Sequence, residues 1–184
     1  MTTRDSRAAP RPVSTQATDR NDGCQPWSIS SDLTMRRTSV TEQEFAVTAD
    51  QLWAVLTDPV RYPGWLVGAK RIREVSPDWP EAGGYFKHTV GFGPITVSDR
   101  TIVREVEPRR LLALFVRARP VIEAVVRFDV TSRGSLCTLR MTETPLRAYK
   151  LITPLARPLI RVRNERSMKR LKDIVESATT SQAQ

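Results

Sequence analysis

The single histidine of the chain, His88, is the first candidate for acid–base chemistry. It lies between Phe86 and Val90 in a strand-like segment, and the two-residue period of a strand places all three side chains on one apolar side. An imidazole, with an ordinary pKa of about 6.5, exchanges protons readily near neutral pH. His88 is therefore either a general acid or base inside a cavity or a hydrogen-bonded structural residue at its rim. No carboxylate close in sequence is placed to orient its ring.

Two further polar residues, Glu143 and Asn164, interrupt patterns that are otherwise apolar. Glu143 follows three alternating apolar residues of a strand, and Asn164 is the polar member of a helical stripe at 160, 164, 168, 171 and 175. A buried carboxylate or amide is costly unless it is paired. We therefore expect the two residues to form a polar cluster, with Arg163 as a further candidate. Such a cluster either orients a hydroxyl or carbonyl group of a ligand or only ties the helix to the sheet.

Other residues are candidates for apolar or polar contacts with a ligand. Trp65 and Phe92 stand near loops, so we expect them at the mouth of a pocket. Thr101 and Asp99 occur in the middle of a strand, where the pattern leaves open whether each faces a cavity or the solvent. The full set of expected ligand contacts is Trp65, Phe86, His88, Phe92, Thr101, Glu143, Asn164 and Met168.

The element that precedes these residues begins with a clear helix signal. Thr48 and Gln51 have the spacing of a capping box, and the Asp58-Pro59 pair ends the helix. A strand over residues 38–47 leads into this helix, and a one-turn element over residues 61–66 follows it.

Residues 70–144 have the pattern of six strands separated by turn residues. A final helix is expected to begin either at a Thr153 cap or near Pro158 and to run to about Ala178. Consecutive strands with short turns pair antiparallel. The sequence therefore predicts an α+β fold in which a seven-stranded curved antiparallel sheet wraps around a long C-terminal helix, an arrangement that commonly leaves a cavity.

This order of elements resembles the SRPBCC superfamily, the helix-grip or START-like fold that includes polyketide cyclase/dehydrase-type proteins. The resemblance covers about residues 38–178, and its end is similar to a small actinobacterial-type branch. It implies a helix-grip domain over residues 37–179. Residues 1–36 are rich in Thr, Ser, Arg, Pro and Asp and have few large apolar residues, so we expect this segment to be disordered, together with residues 180–184. The segments that carry the resemblance are residues 58–65, 84–94, 107–111, 141–143 and 163–171.

Composition excludes several classes of protein. The chain has 184 residues, of which 40% are hydrophobic and 27% charged, so it has the composition of a globular domain. Two cysteines and one histidine exclude a disulfide framework and a multi-histidine metal centre, and no cofactor is expected. No apolar run approaches the about 20 residues of a membrane span, and no signal peptide is recognisable. We therefore expect a cytoplasmic single-domain protein.

The net charge of +9 is concentrated near the C-terminus. Between Arg147 and Lys172 there are nine basic residues and one acidic residue, Glu165. Such a segment is either a solvated helix face or a surface for an acidic partner, an anionic ligand or a membrane. Nucleic acid is not expected, because no aromatic side chains alternate with these basic residues.

Three functions remain open from the sequence. The first is the binding of a hydrophobic small molecule, lipid or polyketide-like, between the sheet and the terminal helix. The second is a polyketide cyclase or dehydratase that uses His88 or Glu143 for proton transfer and receives its substrate from an acidic acyl carrier protein docked on the basic helix. The third is an interaction module that acts through that basic helix.

Overall fold

The computed structural model describes residues 38–92, 95–118, 122–148 and 156–182. The predicted disordered segment at 1–36 lies outside the described residues. The strands are β1 (Ser39–Phe45), β2 (Ala69–Val75), β3 (Tyr85–Phe92), β4 (Ile95–Glu107), β5 (Leu111–Ala118), β6 (Ile122–Arg133) and β7 (Leu136–Ala148). The helices are α1 (Ala49–Leu56), α2 (Tyr62–Trp65) and α3 (Ala156–Gln182), and a 3₁₀ turn at Pro59–Arg61 precedes α2.

The seven strands form one antiparallel sheet in the order β1-β7-β6-β5-β4-β3-β2. Neighbours in the chain are neighbours in the sheet from β2 to β7, and β1 closes the far edge against β7. Register shifts interrupt the β2–β3, β4–β5 and β6–β7 pairs. Because such irregularities bend and twist a strand, they favour a curved sheet. The predicted α+β helix-grip fold is confirmed.

The start of α1 has the geometry that its sequence predicts. The Thr48 hydroxyl accepts a hydrogen bond from the backbone N–H of Gln51 at 3.3 Å, and the Gln51 side chain accepts one from the Thr48 N–H at 2.9 Å. Val47 and Leu52, on either side of the cap, are both buried. The capping box thus fixes the direction in which the chain leaves β1.

The core lies between α1, α2 and α3 and one face of the sheet, which we call the inner face. On α3 four members of the predicted stripe, Asn164, Met168, Leu171 and Val175, are buried, and the three apolar ones belong to the core, whereas Ile160 is half-buried. The largest fully buried side chains are Phe45, Leu52, Leu56, Tyr62, Trp65, Phe86, Leu112, Phe128, Leu139, Met141, Met168 and Leu171.

The described part of α3 extends beyond the prediction at its C-terminal end. It begins at Ala156, next to the expected start near Pro158, while the expected Thr153 cap lies outside the described residues. It continues to Gln182, beyond the expected end near Ala178, because no glycine or proline interrupts residues 178–182. The expected disorder at 180–184 is thus wrong for residues 180–182. Within the described residues, no helix is long and apolar enough to cross a membrane.

The packing of α3 on the sheet can be tested at Leu171, which is fully buried. Leu171→Ala should lower the free energy of unfolding by about 2–5 kcal/mol, because it removes buried methyl groups and leaves a cavity. Arg170→Ala, at the adjacent exposed position, should change it by less than about 0.5 kcal/mol. Urea unfolding curves measure both, and equal effects would contradict this assignment of the two helix faces.

Candidate functional site

The strand register brings the polar residues of the inner face into two groups. His88 on β3 lies directly opposite Asp99 on β4, and Thr101 lies two residues further along β4 on the same face. We call these three residues the imidazole group. Glu143 on β7 and Asn164 on α3 form the second group, the amide–carboxylate cluster, together with Arg163.

His88 is 3% exposed and only partly satisfied. Its Nδ1 lies 3.5 Å from the Thr101 hydroxyl, a long contact in which either atom can be the donor. Its Nε2 is buried and has no hydrogen-bond partner among the described residues. The Phe86 ring packs beside the imidazole, with 5.2 Å between ring centroids. A buried ring nitrogen without a hydrogen-bond partner is costly. Nε2 is therefore the atom to which a polar group of a ligand would bind.

Burial lowers the pKa of His88, because the imidazolium form loses its hydration. Asp99 opposes this shift by its negative charge, and Arg73 adds to it. The imidazole is therefore neutral at neutral pH, with one ring nitrogen as an acceptor and the other as a donor.

Asp99 is the residue that the sequence analysis did not connect with His88. The two are separated by a turn, and only the exact β3–β4 register makes them cross-strand neighbours. The only sequence signal was the alternation of β4, which left the orientation of Asp99 and Thr101 open. In the structure Thr101 is buried and Asp99 is half-buried, and both belong to the inner face.

The amide–carboxylate cluster joins α3 to β7 as the sequence predicts. The Asn164 side-chain amide donates to Glu143 Oε2 at 2.9 Å, and Arg163 Nη1 donates to Asn164 Oδ1 at 3.2 Å. Arg163 Nη1 also lies 3.6 Å from Glu143 Oε2. Asn164 is fully buried, whereas the Glu143 side chain is 14% exposed. The Glu143 side chain thus keeps a small solvent exposure beside a fully buried amide.

The same cluster holds the segment that follows α2. Arg163 Nε donates to the Val67 carbonyl at 3.0 Å, and the Val67 N–H donates to the Ser167 hydroxyl at 3.0 Å. Ser167 in turn donates to the Arg163 carbonyl at 2.8 Å. Both backbone groups of Val67 are thus bonded to α3, which fixes this end of the domain.

Four valines connect the two polar groups across the inner face. Val90 and Val97 lie opposite each other on β3 and β4, while Val116 lies opposite Thr101 and Val126 opposite Glu143. All four point toward the interior, yet each keeps partial solvent exposure. We call these four residues the valine wall. An inward apolar surface that solvent reaches, with polar groups at both ends, has the composition of a small-molecule site.

The structure does not bring every predicted residue to this wall. Trp65 was expected at a pocket mouth but is fully buried, because α2 turns its ring inward against Phe128, with 6.2 Å between centroids. Its indole N–H has no partner among the described residues. Met168 and Phe86 are also buried in the core. Phe92 ends β3, and its side chain lies outside the described part of the chain.

Other features of the described residues do not coincide with the predicted site. A surface groove of about 280 Å³ separates α1 from the last turns of α3. Its lining includes Gln51, Val55 and Val175 and none of the expected ligand contacts. No group of three or more metal-ligating side chains occurs in the parts of the chain that the structure describes.

Comparison with known proteins gives a family match and a set of structural neighbours. Residues 36–176 match the sequence model of a family described as polyketide cyclase / dehydrase and lipid transport. No curated protein matches the chain in sequence.

Among solved structures, the chain is similar to a START superfamily protein from Mycobacterium smegmatis, with a TM-score of 0.65 and 16% identity, covering 77% of this chain and 98% of the other. It is also similar to the Zhui aromatase/cyclase from Streptomyces sp. R1128, with a TM-score of 0.61 and 17% identity, covering 80% of this chain and 96% of the other. At these identities the likeness concerns the fold alone.

The environment of His88 predicts a pH dependence. Its lowered pKa means that the unfolded chain binds a proton more readily than the native protein. The contribution of His88 to the free energy of unfolding should therefore be complete above pH of about 6.5 and decrease as the pH falls below that value. Because the chain has one histidine, its imidazole signals in a proton NMR titration report this pKa directly. His88→Gln should remove this part of the pH dependence, and an ordinary or raised pKa would contradict the assignment.

The amide–carboxylate cluster makes a separate prediction. Asn164→Ala should lower the free energy of unfolding by about 1–3 kcal/mol, because the Glu143 carboxylate loses its buried donor. The effect should shrink in the Glu143→Ala background, which a double-mutant cycle measures. Glu165→Ala, at the exposed neighbouring position, is the matched control and should have little effect. Additive single effects would show that the two side chains are not coupled.

Proposed function

Because the chain belongs to the polyketide cyclase / dehydrase and lipid transport family, we propose that it is a cytoplasmic protein that binds a hydrophobic small molecule. The ligand lies between the valine wall and α3 and is lipid-like or polyketide-like, with an apolar body and at least one polar group. The buried, unpartnered Nε2 of His88 beside this accessible apolar wall is the observation that carries the proposal.

The energetic argument combines apolar area with one polar anchor. Covering the valine wall removes apolar surface from water, which contributes about 25 cal/mol for each Å² buried. A hydroxyl or carbonyl group of the ligand completes the hydrogen bonding of His88, since a neutral imidazole can either donate or accept at Nε2. At this end of the wall the ligand is thus selected by shape and by a hydrogen bond to a neutral group.

The amide–carboxylate cluster provides the second polar contact. Glu143 Oε2 accepts a hydrogen bond from Asn164, and Glu143 lies directly opposite Val126 of the valine wall. A carboxylate accepts hydrogen bonds only, so this end favours a hydroxyl group of the ligand. A ligand with a hydroxyl near one end and a hydroxyl or carbonyl near the other fits both groups.

The second candidate is a polyketide cyclase or dehydratase that uses the same space. The neutral, buried imidazole of His88 favours it, because such a group can accept a proton from a carbon or oxygen acid held on the valine wall. Glu143 is the second candidate for proton transfer. On this reading the family's cyclase chemistry depends on how the wall folds the substrate, and His88 moves the proton.

The binding proposal can be tested with a matched pair of valine substitutions. Val126→Trp should fill the space at the valine wall and weaken binding of a fluorescent fatty acid at least tenfold, because the added ring occupies the ligand volume. Val125→Trp places the same ring on the opposite face of β6, next to Phe115, and should leave binding unchanged. Equal affinities of the two variants, measured by fluorescence titration with folding checked by circular dichroism, would contradict the site.

The chemical class of the ligand can be identified from the protein itself. Native mass spectrometry of protein purified from its own host should detect a bound hydrophobic molecule, which organic extraction then releases for identification. With that ligand, His88→Ala should weaken binding if the protein is a carrier. If the protein is an enzyme, His88→Ala or Glu143→Gln should abolish turnover and leave binding within a few fold.

A further inference from the structure

The outward side of α3 carries positive charge that no described residue neutralises. Arg166, Lys169 and Arg170 are exposed and form no ion pair with other described residues. Elsewhere on the same helix, by contrast, Arg161 lies 2.8 Å from Glu165 and Lys172 lies 3.6 Å from Glu176. Like charges three and four residues apart on a helix repel one another. The three free cations therefore favour an anionic partner.

Two aliphatic side chains extend this surface toward the start of the helix. Leu159 is 67% exposed and Val162 is 40% exposed. The positions 159, 162, 166 and 169 follow one another at intervals of three or four residues, so they form one stripe along the helix. This stripe lies opposite the buried side that contains Asn164 and Leu171. We call it the outer stripe.

We propose that the outer stripe of α3 binds the surface of an anionic phospholipid membrane. Basic side chains next to protruding aliphatic residues suit this surface, because the cations contact lipid phosphates while the aliphatic groups enter the boundary of the acyl region. An acidic carrier protein would satisfy the cations alone, whereas a bilayer also removes Leu159 and Val162 from water. The proposal goes beyond ligand binding in the interior and does not depend on it.

The test uses the full chain and vesicles of phosphatidylcholine with and without phosphatidylglycerol. The protein should co-sediment with the anionic vesicles, and binding should weaken as salt is raised from about 0.05 to 0.5 M. The triple variant Arg166→Gln, Lys169→Gln, Arg170→Gln should weaken the affinity roughly a hundredfold, since each basic residue near an anionic surface contributes about fivefold. The double variant Leu159→Ser, Val162→Ser should lose the vesicle binding that remains at high salt, because apolar contacts with the acyl region are not screened by ions.

The matched control is the triple variant Arg71→Gln, Arg73→Gln, Arg133→Gln, which removes the same charge from exposed positions elsewhere. It should retain most of the binding, and the folding of all variants is checked by circular dichroism. Equal loss in both triple variants, equal binding to neutral vesicles, or no vesicle binding by the wild type would overturn the proposal. Binding of an acidic acyl carrier protein through the outer stripe without any binding to vesicles would overturn it as well.

Discussion

The hydrogen bond between Asn164 and Glu143 is the constraint on which the arrangement of this domain depends. Two polar groups buried under a helix have few ways to be satisfied, and here each satisfies the other across the junction of α3 and β7. The same turn of α3 fixes the backbone of Val67 through Arg163 and Ser167. Apolar packing alone would let a helix slide or rotate on a sheet, whereas these directional bonds specify one position.

With α3 fixed in this way, the inner face has two regions: one that packs against the helix and one that keeps solvent exposure. The C-terminal half of the helix packs with Met168, Leu171 and Val175 in the core, which provides stability. The valine wall, which spans β3 to β6, keeps partial solvent exposure, and the imidazole of His88 on β3 has an unpartnered nitrogen. The packed core and the proposed ligand site are thus neighbouring regions of one face.

Much of this architecture could be predicted from local patterns. The capping box of Thr48, the alternation of the strands and the apolar stripe of α3 each depend on a few adjacent residues, and the fold and the superfamily resemblance predicted from them are confirmed. The pairing of Glu143 with Asn164 was also predictable, because each is a polar exception in an apolar pattern.

The remaining features of the site depend on distances along the chain that sequence patterns do not encode. Asp99 faces His88 only because of the register of β3 on β4, which a shift of one residue would reverse. The inward turn of Trp65 depends on how α2 packs against β6, and its position near a loop gave the opposite expectation. The C-terminal end of α3 could not be predicted closely, because no glycine or proline near residue 178 marks where the helix ends.

The pairing of β1 with β7 has a consequence for synthesis of the protein. Ser39 pairs with Glu143, and the N–H of Ala46 donates to Glu176, so the first strand is completed by the last strand and the last helix. A ribosome that adds about 5–20 residues per second makes these partners several seconds after β1 has emerged. The pairing of β1 with β7 and its contact with α3 must therefore form after nearly the whole domain has been translated. An interrupted chain that lacks α3 would expose the inner face of the sheet, which makes such fragments substrates for chaperones and proteases.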